Sequence, residues 1–580
     1  MFKLVRYLKN YKKQLILGPL FKLTEAVFEL IVPIITALII DKGVLKNDVS
    51  YVLKMGGVLI FLGVVGLACA LICQYSASIA SQGFGTALRN DIYKHINSFS
   101  HKEIDKFGTP SLITRITNDV NQLQFAVAML IRLVIRAPFL AVGAVIMAMI
   151  VDVKLSLVFL VVTPIIAVIL YVIMKRSVPF FKLAQKKLDN ISRISREGLS
   201  GARVIRAFSK QKSEEMRFSN AAREQADISI KVSKLSSLLN PLTYAVMNLG
   251  IVALLWFGGG RVAAGDRQPG EVVALVNYMT QTYLALVVVA NLVVIFTKAA
   301  ASAARVNEIF ETEPSVKEGS GNISQENESF GKIFFKDVSF SYVSDDEKFA
   351  VKDLNVVINE GETVGIIGGT GAGKSTFVKL IPRFYDCSKG QIYIDGRAVE
   401  DYPLNELRLR IGMVPQKAVI FSGTVESNLR WGKEDATEDE MYKALEIAQA
   451  RDFVEKLPDG LKSMVLQGGK NFSGGQKQRL TIARALIQKP DILILDDSAS
   501  ALDLATDARL RKAIYENLKN TTVIIVSQRT NSIKNADKII VFENGEVAGM
   551  GRHEELLKSC PVYKEIHMSQ SGTESEEGAL

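Results

Sequence analysis

Apolar positions dominate six stretches of the first half of the chain, at about residues 15–40, 52–75, 125–150, 155–175, 241–259 and 271–297. Each is near the ~20 residues that cross a bilayer as a helix. From about Ser315 the pattern changes, because charged residues multiply and strand-length apolar runs alternate with helix-like segments. The order predicts an all-α, six-helix transmembrane domain followed by an α/β domain. An even number of spans returns the chain to its starting side. The connections near residues 41–51, 152–154 and 261–270 are short and are expected outside. The connection from Lys175 to Lys234 holds fifteen Lys or Arg against six Asp or Glu, which marks the cytoplasmic side. Its apolar residues (Leu183, Leu188, Ile191, Ile194, Leu199) predict that the membrane helices continue into the cytosol.

Composition refines this division. A chain of 580 residues is too long for one ordinary domain. The predicted layout is a transmembrane domain over 1–312, a polar linker over 313–331 containing Gly319 and Gly321, a soluble domain over 332–568, and a small acidic tail over 569–580 without structure. The net charge of +10 gathers between apolar spans, which favours membrane orientation and argues against nucleic acid as a partner. Four cysteines (Cys69, Cys73, Cys387, Cys560) show no disulfide or zinc spacing. Met1 to Lys13 is basic with apolar residues near helical spacing, and is read as an interfacial helix rather than a signal peptide. Inside the spans, Glu25 and Glu29 share one helix face, and Arg132 and Arg136 share another at a matching depth. Salt bridging between these two helices is therefore expected.

Candidate chemistry begins at Gly368, Gly369, Thr370, Gly371, Ala372, Gly373, Lys374, Ser375 and Thr376, which fit G-x-x-x-x-G-K-[ST]. An apolar run (Thr363 to Ile367) precedes them and a helical run (Phe377 to Ile381) follows. In that order, backbone N–H groups and a helix N-terminus face phosphate oxygens, Lys374 neutralises them, and the Ser375 hydroxyl can hold Mg²⁺. ATP and Mg²⁺ are the ligands this predicts.

Further on, Gln416 follows an apolar strand, Ser473, Gly474, Gly475 and Gln476 open a helix, Asp496 and Asp497 end the run Ile492 to Leu495, and Ser500 to Asp503 and Ser527-Gln528-Arg529 follow. In this order and spacing the set resembles an ABC-transporter ATPase. With six spans before it, the chain is similar to an exporter-type half-transporter over all but its tail. The resemblance implies that Tyr342 stacks on adenine, that Gln416 senses the Mg²⁺ and contacts the membrane domain, and that Ser375, Gln416 and Asp496 serve the metal. It also implies that Ser473 to Gln476 face the γ-phosphate bound on an opposite subunit, with Asp503 in the loop at the dimer interface. Phe107 to Arg115 with Asn118 and Asp119, and Val204 to Phe208, resemble the two cytoplasmic loops that dock on nucleotide domains.

Two positions depart from that family's usual pattern. Where the family has a glutamate that polarises the attacking water, this chain has Asp497, and where it has a histidine at the γ-phosphate, this chain has Gln528. A shorter carboxylate and an amide that carries no charge predict a site that binds ATP and cleaves it slowly. The combination resembles the degenerate subunit of a heterodimeric multidrug exporter in the cell membrane, paired with a second, non-identical half-transporter and moving an amphipathic small molecule among membrane lipids. A homodimeric exporter with slow sites and a non-transport regulatory ATPase are the alternatives.

Overall fold

The computed structural model describes residues 2–319, 331–343 and 348–577. They form two compact units. One comprises residues up to Asn97 together with Thr109–Thr312, and the other Ser98–Gly108 with Glu313 onward.

The first unit is helical. Six helical stretches are long and apolar enough to cross a membrane: Lys3–Val44, Val49–Asn97, Thr109–Val151, Val153–Ser200, Gln211–Ala263 and Pro269–Glu311. The helix Val49–Asn97 has 49 residues, hence a length of ~73 Å against a hydrocarbon core of ~30 Å. Continuation of the spans beyond the membrane, expected from the basic connections, is what the structure has. Tyr278, Phe159 and Leu254 are fully buried between helices, while Phe61, Trp256 and Phe257 stay exposed on outer faces, where lipid is the natural solvent. Phe2–Tyr11 is a 3-10 helix whose Leu4 and Leu8 are buried and whose Tyr7 hydroxyl donates to Asp91 (2.8 Å).

Several charges inside this unit are paired. Arg136 pairs with Glu29 at 2.6 Å, as the matching depths predict. Glu25 instead takes Lys22 three residues away, and Arg132 forms no ion pair among the described residues. One expected bridge is therefore present and the other is replaced, because Lys22 reaches Glu25 on the same helix. At the short connections, Asp152 caps the helix Val153–Ser200 through the N–H groups of Lys154 and Leu155 and pairs with Arg261 and Arg267. Buried Asp41 accepts from the Gly270 N–H (2.7 Å). Asp119, assigned by resemblance to a docking loop, lies buried and binds Arg305 and Ser302 of the last span.

The second unit is the α/β domain. Its main sheet runs, in spatial order, Glu546–Gly551, Lys538–Glu543, Thr363–Gly368, Thr522–Val526, Ile492–Asp496 and Ile411–Val414. All neighbours pair in parallel except the edge strand Glu546–Gly551. Near-continuous burial of these strands is what a parallel sheet covered on both faces requires. A smaller antiparallel sheet of Val351–Ile358, Ile333–Phe340, Lys389–Ile394 and Arg397–Ala398 packs its apolar face, with Phe335 and Ile394, against Phe377 and Phe542.

The short helix His101–Phe107 belongs to this unit. His101 stacks on Phe384 (ring centroids 4.3 Å apart), and the Tyr385 hydroxyl donates to Asp105 (3.0 Å). The residues that meet Phe384 and Tyr385 thus lie just ahead of the stretch Phe107 to Arg115 assigned by resemblance, and that stretch is divided at Gly108 (φ 72°). Val204 to Phe208 falls in and just after the helix Ala202–Ala207, with Val204 and Phe208 exposed. The first part of the expected linker is also packed here: Val316 is buried and the Ser315 hydroxyl meets that of Ser100 (2.6 Å). The rest of that linker, 320–330, lies outside the described residues. In place of a structureless tail, a helix spans Pro561–Glu577 and crosses the expected boundary at 569; 578–580 are not described.

Candidate nucleotide site

The strand Thr363–Gly368 delivers the phosphate loop at its C-terminal end, and the helix Lys374–Leu380 leaves it. Two glycines there are dictated by close approach. A Cβ on Gly368 would stand 2.2 Å from the Phe542 carbonyl oxygen, and one on Gly373 (φ 101°) would stand 2.8 Å from that of Ala350. Lys374 folds back over the loop and donates to the carbonyls of Gly368 (2.8 Å) and Gly369 (2.7 Å). Thr370, Gly371 and Ala372 form the turn between them, with Gly371 at φ 83°.

The neighbouring strands bring the acids. Ser375 donates to Asp496 (3.0 Å), which ends the strand Ile492–Asp496. Asp497 follows with a left-handed backbone (φ 47°), its N–H on the Val526 carbonyl (3.0 Å), and its carboxylate accepts from the Gln416 side chain (3.2 Å). Burial pushes both carboxyls above the usual range, and burial likewise pulls the Lys374 ammonium down, countered by the two aspartates. Three groups held away from their comfortable charge states in one cleft make a site poised for a charged ligand. Lys374, Ser375, Asp496, Asp497 and Gln416 are therefore brought together as the sequence predicts, although Gln416 engages Asp497 rather than the Ser375–Asp496 pair.

Tyr342 is 43% exposed, edge-on to Phe340 and Tyr385, with its hydroxyl 3.2 Å from that of Thr376. Its partner Tyr385 is the residue that holds Asp105, so the aromatic cluster around Tyr342 and the helix His101–Phe107 share one side chain. Gln528 leaves the strand Thr522–Val526, which lies between the strands carrying the phosphate loop and Asp496. Its side chain is exposed and its main-chain carbonyl accepts from Gln570 (2.7 Å).

Ser473 to Gln476 form a separate group. Ser473 caps the helix Gly474–Leu486 in a reciprocal box with Gln476. A Cβ on Gly474 would meet nothing within 4 Å, whereas one on Gly475 would lie 3.1 Å from the Ala501 carbonyl oxygen. Asp503 caps the helix Leu504–Asn517 through the Thr506 N–H (2.8 Å), and that bond holds its carboxyl below the usual range. Sequence reasoning missed Tyr385, Asp105 and Gln570. The spacing of Tyr563, His567 and Gln570 announces a helix face but not its backbone partner at residue 528.

Comparison with known proteins agrees with the division. The profile of the ABC transporter transmembrane region matches residues 15–286, and a second profile, described as ABC transporter, matches residues 351–500. An uncharacterized ABC transporter ATP-binding protein, YfiB of Bacillus subtilis, is 39% identical over 577 residues, covering 100% of each chain. An ATP-dependent lipid A-core flippase of Chromobacterium violaceum is 29% identical, covering 98% of this chain and 97% of its own. The fold is also that of a bacterial Atm1-family ABC exporter solved with ATP bound, with a TM-score of 0.79 at 22% identity over 96% of this chain and 98% of the other. A phosphate loop facing paired acids at the end of a parallel sheet, six spans ahead of it, and full-length similarity at this level place the chain in the ABC transporter family, as a multi-pass membrane half-transporter with one transmembrane domain and one cytoplasmic nucleotide-binding domain.

Proposed function

We propose that this chain is one half of a heterodimeric, ATP-driven exporter, that its own ATP site binds nucleotide and cleaves it slowly, and that Ser473 to Gln476 complete the site of a non-identical partner. The observation that carries the reading is the pair Asp497 and Gln528 beside an otherwise complete phosphate loop. Asp497 is one methylene shorter than glutamate, so its carboxylate stands back by ~1 to 1.5 Å, a displacement that water positioning tolerates poorly. Its carboxylate is also engaged by Gln416. Gln528 neither carries positive charge nor shuttles a proton as an imidazole does.

The residues present fit ATP and Mg²⁺. Phosphate oxygens would draw the Lys374 ammonium from the carbonyls of Gly368 and Gly369, and the adenine would take the exposed face of Tyr342. Ser375 and Asp496 would hold Mg²⁺, with Gln416 at hand; when bound, the ion neutralises charge on the phosphate oxygens. The similarity to a lipid A-core flippase supports an amphipathic cargo, lipid-like or drug-like, recognised by shape and hydrophobicity.

The test is purification of the chain with and without co-purifying protein of similar size. With a partner, Asp497→Ala should change turnover by less than about threefold, whereas Gly475→Asp should reduce it at least about tenfold, because a carboxylate there meets the Ala501 carbonyl and faces phosphate. Brisk turnover by the chain alone, abolished by Asp497→Ala, would establish a homodimer in which the shorter carboxylate is the working residue. ATP hydrolysis that no cargo stimulates in vesicles would favour a regulatory ATPase.

A further inference from the structure

The backbone that carries Gln528 is held by the chain's last helix. Gln570 spans the turn with both ends of its amide: Nε2 donates to the Gln528 carbonyl (2.7 Å), and Oε1 accepts from the Thr530 N–H (2.9 Å) and hydroxyl (3.0 Å). These roles fix the orientation of the amide, since a carbonyl can only accept and an N–H only donate. The Thr530 hydroxyl also lies 3.2 Å from His567 Nδ1, and Thr530 is 2% exposed. On its other side the turn is held by the helix Leu504–Asn517, through Arg511 to the Asn531 carbonyl (2.8 Å) and the Ser532 hydroxyl to Asp507 (3.3 Å).

The last helix is a firm support for this contact. Tyr563 is fully buried against Ile367, Ile533, Val541 and Leu556, and one to two turns later the same face carries His567 and Gln570. Ile367 lies on the phosphate-loop strand and Ile533 closes the Gln528 turn, so the helix is seated on the elements whose separation it fixes. A single amide that bridges residues 528 and 530 removes the freedom of the peptide between them. The Gln528 and Arg529 side chains are exposed, while Ser527 and Thr530 on either side of them are buried.

We propose that Gln570 is a positioning residue for the ATP site: by clamping the turn it sets where the Gln528 amide meets the γ-phosphate, and so sets the preference of this site for ATP over ADP. The proposal rests on the reading that Gln528 occupies the γ-phosphate-facing position, and does not depend on how fast the site cleaves ATP.

Equilibrium binding of a fluorescent non-hydrolysable ATP analogue and of fluorescent ADP tests it in the full-length protein. The proteins compared are the parent, Gln570→Ala, Gln570→Glu, Gln528→Ala and the double alanine variant, with Glu565→Ala on the exposed face of the same helix as control. Gln570→Ala should lower the ratio of ATP-analogue to ADP affinity by about threefold or more, leave ADP affinity within about twofold, and have no further effect once Gln528 is alanine. Gln570→Glu, which keeps the acceptor and loses the donor, should give the same loss. Equal loss of both nucleotides would mean that the helix only supports the fold. Unchanged affinities, or effects that add in the double variant, would also overturn the proposal. If Gln528→Ala itself leaves the ratio unchanged while Gln570→Ala lowers it, the assignment of Gln528 fails rather than the clamp. Rapid turnover of ATP by the parent, measured separately, bears only on the slow-site reading.

Discussion

Lys374 rests its ammonium on two backbone carbonyls that cannot neutralise it, within a cleft whose burial already disfavours its charge. Phosphate offers a better partner, so Lys374→Ala should weaken ATP binding by about 10- to 100-fold, the loss of one or two charge-assisted bonds, as read by equilibrium nucleotide binding. Asp497 gives a prediction of opposite sign. A carboxyl raised by burial holds its proton more tightly in the folded than in the unfolded chain. Its stabilising contribution is therefore present below the raised pKa and is lost as pH rises through it. Asp497→Asn, an uncharged side chain that also suits the left-handed backbone at φ 47°, should raise the nucleotide-free melting temperature at pH 7. The gain should be under about 1 kcal/mol after solvent screening and should shrink as pH falls toward 4. At this scale the sequence was informative wherever chemistry dictates a residue type at a fixed spacing, as for Lys374, Ser375 and Asp496. Gln570 escaped because its partner is a backbone carbonyl 42 residues away, which no residue type at position 528 announces.

Helices and strands were legible from apolar periodicity, and their pairing was legible only where depth constrained it. Matching depths led to Arg136 and Glu29, but Glu25 found Lys22 one turn away, since a neighbour on the same helix needs no second element to be in place. The Arg136–Glu29 pair keeps 21% and 39% of its side-chain surface exposed. Arg136→Met should therefore cost about 1–3 kcal/mol, below the ~3–5 kcal/mol of a fully buried pair, and adding Glu29→Gln should recover part of it. Thermal unfolding in lipid nanodiscs measures both. Polar composition misled in two places for one reason: one or a few apolar anchors are enough to seat a polar segment. Val316 does this for the start of the expected linker and Tyr563 for the last helix, and composition averages over both.

Across the whole molecule the chain passes between its two units at three places, Asn97/Ser98, Gly108/Thr109 and Thr312/Glu313, rather than at the single boundary that composition suggests. The soluble unit is thus joined covalently to the helix Val49–Asn97, to the span beginning at Thr109, and to the last span. Insertion of a flexible Gly-Ser-Gly-Ser segment after Gly108 should leave nucleotide binding unchanged and abolish stimulation of ATP hydrolysis by cargo in vesicles; undiminished stimulation would show that this joint carries no signal. The length of Val49–Asn97 adds a mechanical consequence. A stiff rod of ~73 Å with ~30 Å of its length in the hydrocarbon core has ~43 Å outside, so a tilt of ~10° about the point where it leaves the bilayer carries its outer end through ~7 Å. No proline interrupts its 49 residues, so a displacement applied at Asn97 is spread along every turn of the rod instead of being absorbed at one hinge.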